Sequence, residues 1–209
     1  YVGARTGFLL SLSKGNASPV WLPSGISLAA LLLGGSRLWP GIWLGAFLAN
    51  CHNLFSDEQY LQLLWNLQHG ADLRPLLAVI AVACGISTGG TSEALTGAFL
   101  SQRFIGSHHL FDRGRNIFKF LGIAALSCMV SPTIGVTSLC LGGIVPWGIF
   151  GYSWFTWWLG DVAGMLVISP LLVTWLEKLK KDYPKENTLT RRGIFASPTL
   201  KWQVIEVIL

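Results

Sequence analysis

Apolar runs of about membrane-crossing length follow one another along the whole chain, separated by short polar or basic breaks. Taken in order, they predict a first run over residues 1–12, a second over 20–33 and a third over 38–50. A fourth covers 75–100, a fifth 117–141 and a sixth 150–176, and a seventh starts at Lys201. Between the second and third lies a tight connection, Gly34-Gly35-Ser36-Arg37. Between the third and fourth lies a polar loop with Asp57, Glu58, Asp72 and Arg74 and an amphipathic piece, LQLLWNLQ. A bilayer core of about 30 Å needs about 20 helical residues. The pattern therefore predicts an all-α, polytopic transmembrane helical bundle with six spans and the start of a seventh. No short-period repeat interrupts it, so residues 1–209 read as a single membrane domain. It begins at Tyr1 and stops inside an apolar run at Leu209, so it reads as a piece of a longer protein, cut at both ends.

Composition agrees with that solvent. Of the 209 residues, 52% are hydrophobic and only 12% charged, roughly half the charge of a typical soluble domain. Ten tryptophans and nine prolines fit as well, since Trp gathers at membrane interfaces and Pro is tolerated in membrane helices. The net charge of +5 is mostly a matter of placement. Arg37, then Arg103, Arg113, Arg115 and Lys119, then Lys178, Lys180, Lys181, Lys185, Arg191, Arg192 and Lys201 fall on one face of the alternating spans, twelve of the fifteen basic residues. Basic residues concentrate in cytoplasmic loops, so these loops are expected inside a bacterial inner membrane, with the Asp57 loop and the LGGIVPWG turn outside. Anionic lipid is a natural partner for such loops. A nucleic-acid partner is not expected, because no basic groove with stacking aromatics is apparent. Cys51, Cys84, Cys128 and Cys140 are scattered, with no CxxC pair and no His at metal spacing, so neither a metal nor a cofactor is called for. They read as small apolar packing residues.

Two carboxyls stand where a bilayer should exclude them, Glu93 in GGTSEALTGAFL and Asp161 in WWLGDVAGMLVISP. A charge at bilayer depth costs about 2.5–3.5 kcal/mol on insertion scales, so both are expected to face the bundle interior. Two readings fit that constraint equally: a structural lock bonded to Ser, Thr or backbone, or a ligand- or proton-binding site. Pro23 removes a backbone donor and Gly25 permits close approach. Gly90 and Gly97 bracket Glu93, which suggests either tight helix packing or a local break lining a polar cavity. Trp39 and Trp43, and Trp147, Trp154, Trp157 and Trp158, are first of all interface anchors. The last two also make an aromatic wall beside Asp161 that could stack on a ligand or cation. His52, His69, His108 and His109 read as solvated loop residues. No nucleophile elbow, P-loop, HExxH or Rossmann glycine pattern occurs, and no catalytic residue is nominated.

Three segments, SPVWLPSGISLAALLLGGSRLWPGIWLGAFLAN, GGTSEALTGAFL and WFTWWLGDVAGMLVISPLL, together resemble the membrane-associated sensor domain of the first type, the MASE family of bacterial signalling proteins. Family members often carry Gly-Asn before the Thr of the middle segment, where this chain has Gly89-Gly90. The resemblance implies a bundle of about eight spans, non-catalytic itself, joined in the same chain to a cytoplasmic output module such as a histidine kinase of a two-component system or a diguanylate cyclase. A second copy of the chain is a further candidate partner. Matching positions nominate Glu93, Asp161, Trp157 and Asn50 for ligand or signal sensing, and the aromatic wall adds Trp158. Trp21, Pro23, Gly25, Trp39, Pro40, Gly41, Gly45, Gly97, Gly160, Gly164 and Pro170 carry the structural motif. The expected role is a sensory input domain. The rival expectation is a transporter-like membrane protein that binds a small solute in the same polar interior.

Overall fold

In the computed structural model the described residues are 20–54, 74–106 and 114–182, and every regular element among them is helical. Helix α1 spans Leu22–Gly34, and a 3-10 turn at Ser36–Leu38 joins it to α2, Trp39–Leu54. The described part of α3 is Arg74–Phe104; α4 spans Gly114–Ser127 and α5 Val130–Leu141. A second 3-10 turn, Trp147–Ile149, opens into α6, Phe150–Asp182. The runs at 1–12 and from 201, the LQLLWNLQ piece, His69, His108, His109 and the basic linker beyond 182 lie outside the described residues.

Local chemistry sets these boundaries. Trp21 is extended (φ −92°, ψ 95°) and Pro23 occupies the first turn of α1, where a missing N–H goes unnoticed. At the other end Gly35 turns the chain at φ +87°, a conformation that favours glycine, and its N–H caps the Leu31 carbonyl at 2.9 Å.

Three helical stretches are long and apolar enough to cross a membrane: Leu76–Phe104, Gly114–Leu141 and Trp147–Leu179. They correspond to the expected fourth, fifth and sixth spans. The helix of the expected second is shorter than a crossing, and that of the third is described for 16 residues, only to Leu54. With 13 residues, α1 is about 20 Å long, against a core of about 30 Å. Six full crossings are thus more than the described residues supply.

Of the two readings of the glycines around Glu93, tight packing and a local break, the structure has the first. The glycines around Glu93 leave α3 unbroken through Phe104. The interruption falls in the expected fifth span, at Cys128 and Met129 between α4 and α5. Pro132 explains it: a continuous helix would pair its N–H with the Cys128 carbonyl, and proline has no N–H and a ring that clashes there.

α3 sits centrally against α1, α2, α4 and α5, while α6 packs on α1, α5 and α4. The interior combines an apolar cluster of Leu28, Leu31, Ile42, Ala94, Ala98, Phe120, Ala124, Cys128 and Met165 with polar residues: Ser24, Ser87, Thr91, Glu93, Ser101, Ser127, Ser131, Asp161 and Ser169 are all buried. The outside carries Leu77, Phe99, Phe118, Leu126, Leu141, Val167 and Leu171. Large apolar side chains outward and hydroxyls inward is the arrangement a lipid solvent favours. Three of the buried hydroxyls satisfy themselves on the preceding turn, Ser87 on the Ala83 carbonyl (2.7 Å), Thr91 on the Ser87 carbonyl (2.7 Å) and Ser127 on the Ile123 carbonyl (2.8 Å).

Candidate functional site

The site begins with the joint between α1 and α6. At Gly164 a Cβ would fall on the Trp21 carbonyl, and at Gly25 on the Gly164 carbonyl. Only glycines let the two backbones lie this close. The contact is reinforced by hydrogen bonds from the Trp21 N–H to the Gly160 carbonyl and from the Ser169 hydroxyl to the Gly25 carbonyl, both 2.9 Å. One turn from Gly164 toward the start of α6 stands Asp161, so the joint delivers a carboxyl to the interior beside Ser24. The Ser24 hydroxyl donates to Asp161 Oδ1 at 2.9 Å.

Glu93 reaches the same place from α3. It is 1% exposed and Asp161 is 4% exposed, so two carboxyls share the interior of a bundle. Both carboxyls line one cavity, with Ser131 beside them. Ser131 lies in the first turn of α5, just past the break, so the positive end of a helix dipole is near both carboxyls. The Cys128 thiol, at the break itself, approaches Glu93 Oε1 at 3.6 Å. Glu93 Oε2 has no hydrogen-bond partner.

Around this pair is a cavity of about 110 Å³. Its polar wall includes Ser24, Asn50, Thr91, Glu93, Ser131 and Asp161, and its apolar wall Trp21, Pro23, Ile42, Ile86, Leu139 and Trp157. A volume of this size holds several waters or a small solute. Gly90 also lines it, and nothing lies within 4 Å of the place a Cβ would take there. Among the described residues no group of three or more His, Cys, Asp and Glu could hold a metal ion. The arrangement can bind a small molecule.

Of the residues nominated from sequence, the structure brings Glu93, Asp161, Trp157 and Asn50 together at the cavity. Asn50 also donates to the Ala46 carbonyl (2.9 Å) and to Ser87 Oγ (3.4 Å). Trp158 is not in its lining. Its indole N–H bonds the Ala125 carbonyl at 2.9 Å, and its ring stacks on Trp154, which makes it a link between α6 and α4. Trp43 and Trp154 likewise donate across helix pairs, to Thr88 and Thr133, each at 3.0 Å. These three indoles stitch neighbouring helices, beyond the interface anchoring expected of them.

Within the structural motif, Trp21, Pro23, Gly25, Gly160 and Gly164 build the α1–α6 joint or the cavity wall. At Gly97 a Cβ would come within 3.3 Å of both Leu28 and Ser127. Pro170 lies inside α6, after Ser169. Trp39 and Pro40 are exposed at the start of α2, and Gly41 has open space about it. No contact accounts for the last, and Gly45 is only half-buried on α2. Ser24, Ser131 and Cys128 were not singled out from sequence, because small hydroxyls and thiols inside apolar runs are ordinary packing residues.

No curated protein and no solved structure matches the chain. One family model, MASE1, matches residues 1–200. That span includes the α1–α6 joint, both buried carboxyls and all three helical stretches of membrane-crossing length. The chain belongs to the MASE1 family of membrane-associated sensory domains.

Proposed function

We propose that the chain is the input domain of a bacterial signal-transduction protein, in which the Glu93–Asp161 cavity recognises a signal, α6 carries the change and the last span of the bundle passes it to a cytoplasmic kinase or diguanylate cyclase module. The observation that carries the reading is the Ser24–Asp161 hydrogen bond, because it ties a cavity carboxyl to the close joint between α1 and α6. An occupant that competes for Asp161 loosens or tightens this joint. From Asp161 the helix runs on without interruption to Asp182, about 30 Å further, so a small displacement at the cavity travels as a rigid-body movement. A signal of this kind works only by binding two arrangements of the bundle with different affinity; moving the balance from 1:99 to 99:1 takes about a 10⁴-fold preference.

A second reading has its own support. The α4–α5 break beside two carboxyls is similar to the interrupted helices at which transporters place their substrates. On that reading the same cavity carries a solute across the membrane, with no downstream module involved.

Gly90→Leu separates the two. Its side chain would project into the open space of the cavity and act as a fixed occupant. In the full-length protein in native membranes, sensory input predicts normal insertion with kinase or cyclase output fixed at one level across growth conditions. Output that keeps its full wild-type range with the cavity filled contradicts sensory input through this site.

A further inference from the structure

We propose that the cavity is built for a small organic cation, one that carries a primary ammonium group on a short hydrocarbon chain. This ligand deepens the sensory reading of the same site, on which it rests, by giving the signal a chemical class.

Among the described residues the wall carries two carboxyls and no Lys, Arg or His. Buried charges are normally paired, and among the described residues the hydrogen-bond donors to the two acidic groups are the Ser24 hydroxyl on Asp161 and the Cys128 thiol on Glu93. Glu93 Oε2, in a side chain 1% exposed, has no donor at all. What the site lacks is positive charge together with N–H donors, which an ammonium group supplies in one atom with three donors. The Ser24 hydroxyl already donates to Asp161 Oδ1, so an ammonium group is first received by Glu93 Oε2 and from there competes with Ser24 for Asp161.

The remaining wall argues for an organic cation over a bare ion. Trp21 and Trp157 line the space, and indole faces attract ammonium groups within about 6 Å. Pro23, Ile42, Ile86 and Leu139 offer apolar surface for a hydrocarbon chain. A multivalent metal would want more ligands, and no group of three such side chains occurs among the described residues.

The test uses the purified chain in lipid nanodiscs, titrated with n-propylammonium chloride and followed by calorimetry and tryptophan fluorescence. n-Propanol, of the same shape and uncharged, and sodium chloride are run alongside. Saturable propylammonium binding with propanol silent is expected, together with a loss of about tenfold or more in Glu93→Gln, which removes one charge-assisted hydrogen bond. Gly90→Leu, which leaves both carboxyls in place, should abolish binding by filling the space, so the result does not depend on the Glu93 variant folding. Absence of saturable binding would leave a proton-bridged carboxyl pair and overturn the proposal. Equal binding to wild type and Glu93→Gln, or sodium binding as well as propylammonium, overturns it too. The two levels fail separately: propylammonium that binds without moving the output of the full-length protein sinks the sensory reading alone, and output that responds to Gly90→Leu without any propylammonium binding sinks the cation alone.

Discussion

A carboxyl taken out of water needs donors, and Asp161 finds its geometrically clearest one in the Ser24 hydroxyl at 2.9 Å. Ser24→Ala removes that donor and leaves a buried acceptor short, a change worth about 1.5–3 kcal/mol for a bond to a charged group. We therefore expect Ser24→Ala to unfold at a lower temperature in detergent than wild type, and an unchanged unfolding temperature would mean that Asp161 is held adequately without it. How much of this was legible differs residue by residue. Glu93 and Asp161 announced themselves because carboxyls in apolar runs are rare and energetically conspicuous. Their meeting could not be read, because it depends on how α3 and α6 are set against each other. Trp157 and Trp158 show a distinction that helical spacing does contain. Trp157, Asp161 and Gly164 fall at i, i+4 and i+7 on one face, whereas Trp158 shares the face of Trp154 and Met165. Ser24 and Ser131 gave no signal, since their hydroxyls matter only through a partner far away in sequence.

At the scale of elements, the bundle depends on backbones approaching where glycine allows it. A Cβ at Gly164 would meet the Trp21 backbone, whereas at Gly122, exposed on α4, it would meet nothing within 4 Å. Gly164→Ala is thus expected to destabilise by about 1–3 kcal/mol through overpacking. Gly122→Ala is expected to be neutral or to stabilise slightly, since alanine is the better helix former. Thermal unfolding of the two variants in parallel checks the pair, and equal behaviour would mean that the α1–α6 joint gives way easily. The boundaries of α1 were readable, from Pro23 at one end and Gly34-Gly35 at the other. The break between α4 and α5 was readable in principle, since Pro132 stands inside an apolar run, whereas the glycine-rich stretch around Glu93 fitted either tight packing or a local break. There the glycines serve packing instead: a Cβ at Gly85 would meet Ser138, and one at Gly89 would lie 3.1 Å from the Ser131 carbonyl.

For the molecule as a whole, the apolar exterior and polar interior describe a domain dissolved in lipid, and composition alone had indicated that solvent. The number of crossings was harder to read, because an apolar run of 13 residues looks like part of a span until its length is compared with the bilayer. Orientation follows from charge: with twelve of fifteen basic residues on one face, Lys181 is expected inside and position 57 outside. Single cysteines at these positions, in a background without native cysteine, should label from outside intact cells only at 57. External labelling at 181 would reverse the topology and detach α6 from any cytoplasmic module. Function at this scale comes down to whether the buried carboxyls control what lies beyond α6. The direct measurement is the signalling output of the full-length protein carrying Asp161→Asn, which keeps the shape of the side chain and removes its charge. The account predicts wild-type insertion and abundance with output held in one state whatever the growth conditions; wild-type abundance with an unchanged response would make Asp161 a structural residue and contradict it.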